Sequence, residues 1–222
     1  MPGAAWRLLL LSVFVVSGCA APPQKGHAEF RSARPASILV LPPLNESPEV
    51  SATYSVYSQV TLPLAEAGYY VFPVALVDET FRQNGLTVAG DIHQLAPGKL
   101  REIFGADAVL YLTIKQYGTT YAVVASETRV TLAARLLDLP TQKELWSGAA
   151  TASSNEGRGN SGGGLIGMLV MAAISQIIDT VTEKGHPVAG VAGQRLLGAG
   201  QPNGILYGPR SPKYLKDGDP AP

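Results

Sequence analysis

Residues 37–73 read SILVLPPLNESPEVSATYSVYSQVTLPLAEAGYYVFP, and their order of patterns sets the topology. Ser37 to Leu41 is a continuous apolar run stopped by Pro42 and Pro43, the pattern of a strand buried on both faces. Asn45 to Pro48 is turn chemistry, with Ser47 or Ser51 placed to cap a helix. From Val50 to Ala67, Val56, Val60 and Leu64 recur every four residues, which predicts a helix with Tyr57 and Thr61 beside that stripe. Pro63 inside the pattern predicts a kink or a division into two pieces. Gly68 suits the position just past a helix, and Tyr69 to Phe72 is a second short strand stopped by Pro73. Strand, helix and strand within about forty residues make a βαβ unit with parallel strands.

Downstream, Ala75 to Gln83 predicts a helix with Val77 and Phe81 on one side and Asn84-Gly85 at its end. Pro97 to Phe104 is a shorter one with Pro97 in its first turn. Ala106 to Tyr117 returns to strand, with Leu110, Leu112 and Ile114 pointing one way and Tyr111, Thr113 and Lys115 the other. Gly118-Thr119-Thr120 is expected to turn the chain into a long strand from Tyr121 to Leu139. Val124, Val130, Leu132, Ala134 and Leu136 share one face of it; Glu127, Arg129, Thr131 and Arg135 share the other. After Pro140-Thr141-Gln142, Glu144 to Ala152 is a third strand, with Trp146 on its buried face. One-sided burial of this kind belongs to an antiparallel meander. The fold class is therefore α/β (α+β): a parallel βαβ start, an antiparallel meander, and helices packed on the sheet. Leu165 to Thr182 is a strongly apolar helix, and His186 to Leu197 one more short helix. The expected organisation is a flexible tether over residues 19–36, a single domain over 37–197, and a disordered Gly/Pro-rich tail over 198–222.

Charged residues are 15% of the 222-residue chain, against roughly 25% in an average soluble protein. Lys+Arg and Asp+Glu are 17 each, so no basic excess points to nucleic acid. The lone cysteine excludes an internal disulfide and a zinc site built from several cysteines.

That cysteine stands at an informative place. Arg7 supplies a positive start, Leu8 to Val16 (LLLLSVFVV) is apolar but too short to span a bilayer as a helix, and Val16-Ser17-Gly18-Cys19 comes next. This resembles the bacterial lipobox. The resemblance implies cleavage after Gly18, so that residues 1–18 are a signal peptide, and a diacylglyceryl thioether on Cys19, with acylation of its freed amine. Two chains suffice for stable anchoring, at about 0.8 kcal/mol per buried CH₂. Ala20, rather than Asp, stands after Cys19. In lipoproteins of this kind that implies the outer membrane, with the domain on its periplasmic face.

Other motifs carry less. Gly157, Gly159 and Gly162 match the dinucleotide-binding glycine pattern, but they come after the sheet instead of joining its first strand to a helix. A linker is the better reading. Residues 159–178 carry no charge, yet their dense apolar part, Leu165 to Ile178, is about 21 Å long as a helix. It is better suited to packing on the sheet or on a partner than to lying on a membrane surface, and least suited to spanning a membrane. Leu165, Ile166, Leu169, Ile174 and Ile177 are its candidate protein-interface residues. No H-E-x-x-H, G-x-S-x-G or Walker A motif is present, and no catalytic residue, cofactor or metal is expected. Asn45, Glu46 and Asp78 lie in the loops 45–47 and 74–78 after parallel strands, where open α/β sheets bind ligands. They are the candidate ligand residues. His93 is expected at the surface, and His27 in the tether.

The runs SILVLPPLNESPEVSATYSV, PLAEAGYYVFPVALVDETFRQNGL and LREIFGADAVLYLTIKQYG, with LLDLPTQKELWSG and GGLIGMLVMAAISQIIDTVTEK later, resemble a family of Gram-negative lipoproteins of unknown function. It is domain-of-unknown-function family 799, and the likeness runs from about Ser37 to about Val188. The resemblance implies a fold similar to the N-terminal domain of the Tol translocation protein and to the periplasmic domain of the curli-secretion channel lipoprotein. It also implies a non-enzymatic accessory or assembly subunit of an envelope transport or secretion complex. The partners would be the outer membrane through the lipid, a second copy, and a channel-like lipoprotein of the curli-secretion type, with no nucleic acid. The alternative is a periplasmic lipoprotein that binds a small molecule or peptidoglycan with loops 45–47 and 74–78.

Overall fold

Continuous apolar sequence at Ser37–Leu41 becomes the interior of a mixed sheet. The computed structural model describes residues 27–121, 126–156, 183–201 and 204–216. Its strands are β1 (Ser37–Val40), β2 (Leu44–Asn45), β3 (Tyr70–Val71), β4 (Ala108–Tyr121), β5 (Ser126–Asp138) and β6 (Glu144–Ser153). They lie in the order β3-β1-β4-β5-β6, with β2 joined to β4. β1 pairs parallel with β3 and β4, while β4, β5 and β6 pair antiparallel. The parallel start and the meander are both present. Ile38 and Val40 enter one apolar layer and Leu39 and Leu41 the other, all four fully buried. Asp107 sets the start of the parallel pair: its Oδ2 accepts from the amides of Ala36 and Ser37 at 2.9 Å and from Ser37 Oγ at 2.8 Å.

Seven helices are described. Before the sheet comes α1 (Ala28–Ala33); α2 (Ala52–Gln59) and α3 (Thr61–Glu66) link β2 to β3; α4 (Val74–Gln83), α5 (Ala89–His93) and α6 (Pro97–Phe104) link β3 to β4; α7 (Gly185–Leu197) comes after the meander. The 50–67 pattern divides at Val60, three residues before Pro63. A proline ring clashes with the carbonyl four residues back, here Gln59, and α2 stops there. α2, α3 and α7 bury Val56, Leu64, Val188 and Leu196 against one face of the sheet. α4, α5 and α6 bury Val77, Phe81, Ile92 and Leu100 against the other.

β4 runs four residues further than expected. Gly118-Thr119-Thr120 is strand paired with Thr128–Arg129 and its neighbour Glu127, not a turn. Lys115 is an extra residue between the Ile114 and Gln116 pairings, and this bulge brings Tyr117 onto the face of Ile114. β5 keeps its alternation through Leu136, then Leu137 and Leu139 are buried in the opposite layer beneath the α4–α6 cover. Burial there is two-sided, which corrects the one-sided expectation. Trp146 is buried as expected.

Both ends of the expected domain need correction. The stretch expected as the end of a tether is α1, which buries Phe30 to 2% exposure and stacks its ring on Tyr69 at 6.5 Å. The stretch expected as a disordered tail is packed through Ile205 and Leu206. Tyr69 Oη donates to the Leu206 carbonyl at 2.7 Å, and the amides of Gly208 and Arg210 donate to Ala67 and Gly68 at 2.8 and 3.1 Å. Glycine content here is a packing requirement: a Cβ on Gly208 would meet the Gly68 carbonyl oxygen at 2.7 Å. Cys19, Val124, the glycine pattern at 157–162 and the helix expected at 165–182 lie outside the described residues. Among the described residues no helix is long and apolar enough to cross a membrane.

Candidate functional site

The loops after the parallel strands are closed by their own side chains. Asn45 Oδ1 accepts from the amide and hydroxyl of Ser47, at 2.9 and 2.7 Å, an Asx turn that spends its carbonyl. Its Nδ2 donates to the Glu49 carbonyl at 2.7 Å. Glu46 pairs with Lys115 at 2.7 Å, a partner supplied by the β4 bulge. Asp78 pairs along its own helix with Arg82 at 3.6 Å, and Arg82 also bonds Glu79. Among the described residues no hydrogen bond or ion pair joins Asp78 to Asn45 or Glu46, so the three are not assembled into one site.

His93 is not a simple surface residue. Its Nε2–H donates to the Pro42 carbonyl at 2.9 Å, and its ring meets Tyr111 edge-on at 5.3 Å. Burial lowers its pKa from the ordinary value of 6.5; the neighbouring Arg135 adds to that, against the Pro42 bond. The ring is a neutral wedge between the β1 end and β4.

A polar cluster ties α2, β4 and α7 together. Ser55 Oγ lies 2.9 Å from His186 Nδ1, and Gln59 Nε2 reaches that same nitrogen at 3.2 Å and the His186 carbonyl at 2.8 Å. Tyr117 Oη lies 2.8 Å from Ser55 Oγ and 3.1 Å from Glu183 Oε1. Burial pushes the Tyr117 phenol up to about 12, so it stays a neutral donor. The Ser55–His186 pair has the spacing of a nucleophile and base, but Ser55 is buried and its Oγ is already bonded to Tyr117 Oη, whose own proton goes to Glu183. The Glu183 carboxylate is bonded to Tyr117 and Ser51 rather than to the imidazole. Gly185 is required at the start of α7, since a Cβ there would meet Tyr117 Oη at 2.7 Å. The cluster does the work of a clamp.

An open cavity forms elsewhere, at a place the sequence did not mark. It measures about 190 Å³ and lies between α1, the start of β3 and residues 206–215. Phe30, Tyr69 and Leu206 are buried in its floor, while Arg34 and Leu215 are exposed at its rim. The signal that could have found it is the interleaving of Tyr207, Arg210, Lys213, Tyr214 and Lys216 in a stretch with no acid. Among the described residues no group of three or more His, Cys, Asp or Glu side chains could hold a metal ion.

Comparison with known proteins bears on most of the chain. A family model described as "Putative lipoprotein GNA1162-like" matches residues 26–210. The chain is 50% identical over 203 residues to "Putative lipoprotein NMB1124/NMB1162" of Neisseria meningitidis serogroup B, a match covering 90% of this chain and 94% of that protein. The crystal structure of lipoprotein GNA1162 from Neisseria meningitidis aligns at a TM-score of 0.54 with 56% identity, covering 65% of this chain and 99% of that one. The mixed α/β architecture described above is the fold of that lipoprotein.

Proposed function

Since the chain belongs to the GNA1162-like lipoprotein family, we propose that it is lipidated on Cys19 and held at the periplasmic face of the outer membrane. There it serves as a non-enzymatic accessory or assembly subunit of an envelope transport or secretion complex. The observation that carries this reading is Val16-Ser17-Gly18-Cys19 after a short apolar run, in a chain whose family is one of lipoproteins. The resemblance to family 799 points the same way. The non-enzymatic part is supported by Ser55 being buried and by the Ser55–His186 pair being committed to Tyr117 and Gln59. The partners are a second copy and a channel-like lipoprotein, with Leu165, Ile166, Leu169, Ile174 and Ile177 as the contact. The alternative, a small-molecule or peptidoglycan binder working through loops 45–47 and 74–78, has less support, because Asn45, Glu46 and Asp78 are spent on internal partners.

The test is affinity capture from detergent-solubilised envelopes, with intact mass taken on the captured chain. The expected result is a mass increment of acyl chains on Cys19 and co-purification of a channel-like lipoprotein. An unmodified Cys19 would overturn the anchor. A lipidated chain captured alone would overturn the accessory-subunit role. Leu169→Asp should shift the oligomer in analytical ultracentrifugation with the fold retained; an unchanged oligomer removes that stretch from the interface.

A further inference from the structure

The cavity beside α1 sits within a local concentration of cations that the balanced overall charge conceals. Residues 204–216 carry Arg210, Lys213 and Lys216, all exposed, and no acid; Arg34 stands across the cavity. The acid on α1, Glu29, is paired with Lys143 at 3.1 Å. Asp217 and Asp219 lie beyond the described residues.

The same face exposes side chains suited to a water–hydrocarbon boundary. Tyr70, on the edge strand β3, is 42% exposed with the Arg210 guanidinium 5.4 Å above its ring. Lys213 Nζ lies 5.4 Å above the ring of Tyr207. Leu215 is 56% exposed and is held at φ +62°, a backbone conformation leucine rarely adopts, between Lys213 and Lys216 in the chain. Tyrosines with cations over their rings, and an apolar tip flanked by lysines, are the side chains that settle at a bilayer surface. The apolar part enters the boundary and the charge stays with the phosphates.

Reach selects the same face. Nine residue steps separate Cys19 from Ala28, at most roughly 30 Å of extended chain at about 3.3–3.6 Å per residue. An anchor on Cys19 therefore keeps α1 and the cavity it lines close to the headgroups. The cavity itself, at about 190 Å³, has room for a headgroup and not for a whole lipid.

We propose that the face formed by Arg34, Tyr70, Arg210, Lys213, Leu215 and Lys216 docks on anionic phospholipid headgroups of the membrane that anchors the chain, with a headgroup seated in the cavity over Phe30 and Tyr69. This rests on the reading of Cys19 as lipidated. It fixes the orientation of the domain, so that the sheet edge at β3 faces the membrane and the far end of the meander faces away.

The test uses the full mature lipoprotein, its mass first checked for acyl chains, reconstituted on vesicles of phosphatidylcholine alone or mixed with phosphatidylglycerol. Hydrogen exchange is monitored at residues 28–34 and 204–216. The anchor is the same on both vesicles, so a difference reports docking and not anchoring. The expected result is slower exchange in both stretches on anionic vesicles only, reversed by salt. Lys213→Glu with Lys216→Glu should weaken the protection about fivefold for each cation removed, with exchange in β4 and β5 unchanged as the control on folding. Equal exchange on the two vesicles would overturn the proposal. Equal protection by glycerol phosphate without vesicles would also overturn it, by making the cavity a site for free phosphate. If the mass shows no acyl chains, the anchor reading fails separately, and flotation of the unacylated chain decides docking: flotation with anionic vesicles alone supports it, and no flotation overturns it.

Discussion

The two faces of the sheet are finished differently. The face under α2, α3 and α7 is apolar along most of β4 and β5, from Ala108 and Leu110 to Tyr117 and Val130, and it also receives Phe30 and Leu206 from the two ends of the described chain. The opposite face is covered by α4, α5 and α6 over β1 and the adjoining ends of β4 and β5. Beyond that cover it is polar: Thr131 and Thr151 oppose each other with hydroxyls 3.0 Å apart, and Glu127 pairs with Arg129 at 2.6 Å. Arg135 marks the border, its guanidinium 4.3 Å above the ring of Tyr111. The difference teaches that a long strand does not have one burial state. Its side-chain pattern records, residue by residue, how far each helical layer reaches.

Substitutions on the two faces should separate them by the size of their effects. Leu132 is fully buried beneath α7's side of the sheet, where strands on either side prevent collapse. Leu132→Ala should cost about 4 kcal/mol in chemical denaturation. A loss below about 1 kcal/mol would mean that this layer is loosely packed. Phe30→Ala should cost about 3 kcal/mol, despite its place in a six-residue helix, because its ring is 2% exposed against Tyr69. An unchanged stability would return residues 28–33 to the status of a tether.

The α4–α6 layer adds a pH dependence on the acid side. His93 is held neutral by burial, with its pKa lowered, whereas the unfolded chain titrates near 6.5. The unfolded state therefore takes up the proton first. Stability from this group is complete above 6.5 and is lost as pH falls from that value through the lower folded one. His93→Gln keeps an amide donor for the Pro42 carbonyl and should flatten the Tm–pH curve on the acid side. An unaltered slope would assign the loss to other groups. The smallest effect is expected on the wet half of the same face: Thr131→Val should change stability by no more than about 0.5 kcal/mol. A loss above about 1 kcal/mol would show that the Thr131–Thr151 pair is part of the core.

Legibility in the sequence depends on the range of each interaction. The Ser37–Leu41 strand, the 50–67 helical pattern and the β5 alternation are local, and local periodicity reports them. The Lys115 bulge is invisible because one extra residue leaves the composition unchanged and alters only the register of the downstream half of β4. α1 and α5 are each held by one large buried residue, Phe30 and Ile92, which leaves no repeat to detect. The packed segment at 205–216 has the composition of a disordered tail, because glycine and proline serve both purposes; Gly208 is there so that two backbones can touch. The cavity draws its floor from Phe30, Tyr69 and Leu206, three stretches far apart in the chain, and no spacing rule links them. The candidate loops at Asn45, Glu46 and Asp78 are well placed by topology, but their side chains find nearer partners. The lipoprotein character is legible because the lipobox is contiguous.

The contact of Phe30 with Tyr69 has a mechanical consequence. A pull on the chain upstream of residue 27 does not reach the long antiparallel strands first. It loads α1, whose single buried ring is its main grip on the fold, and then the Ser37–Asp107 bonds at the start of β1. The six-residue helix can therefore peel away and lengthen the chain ahead of the domain while the sheet keeps its register, acting as a fuse between the upstream chain and the folded body.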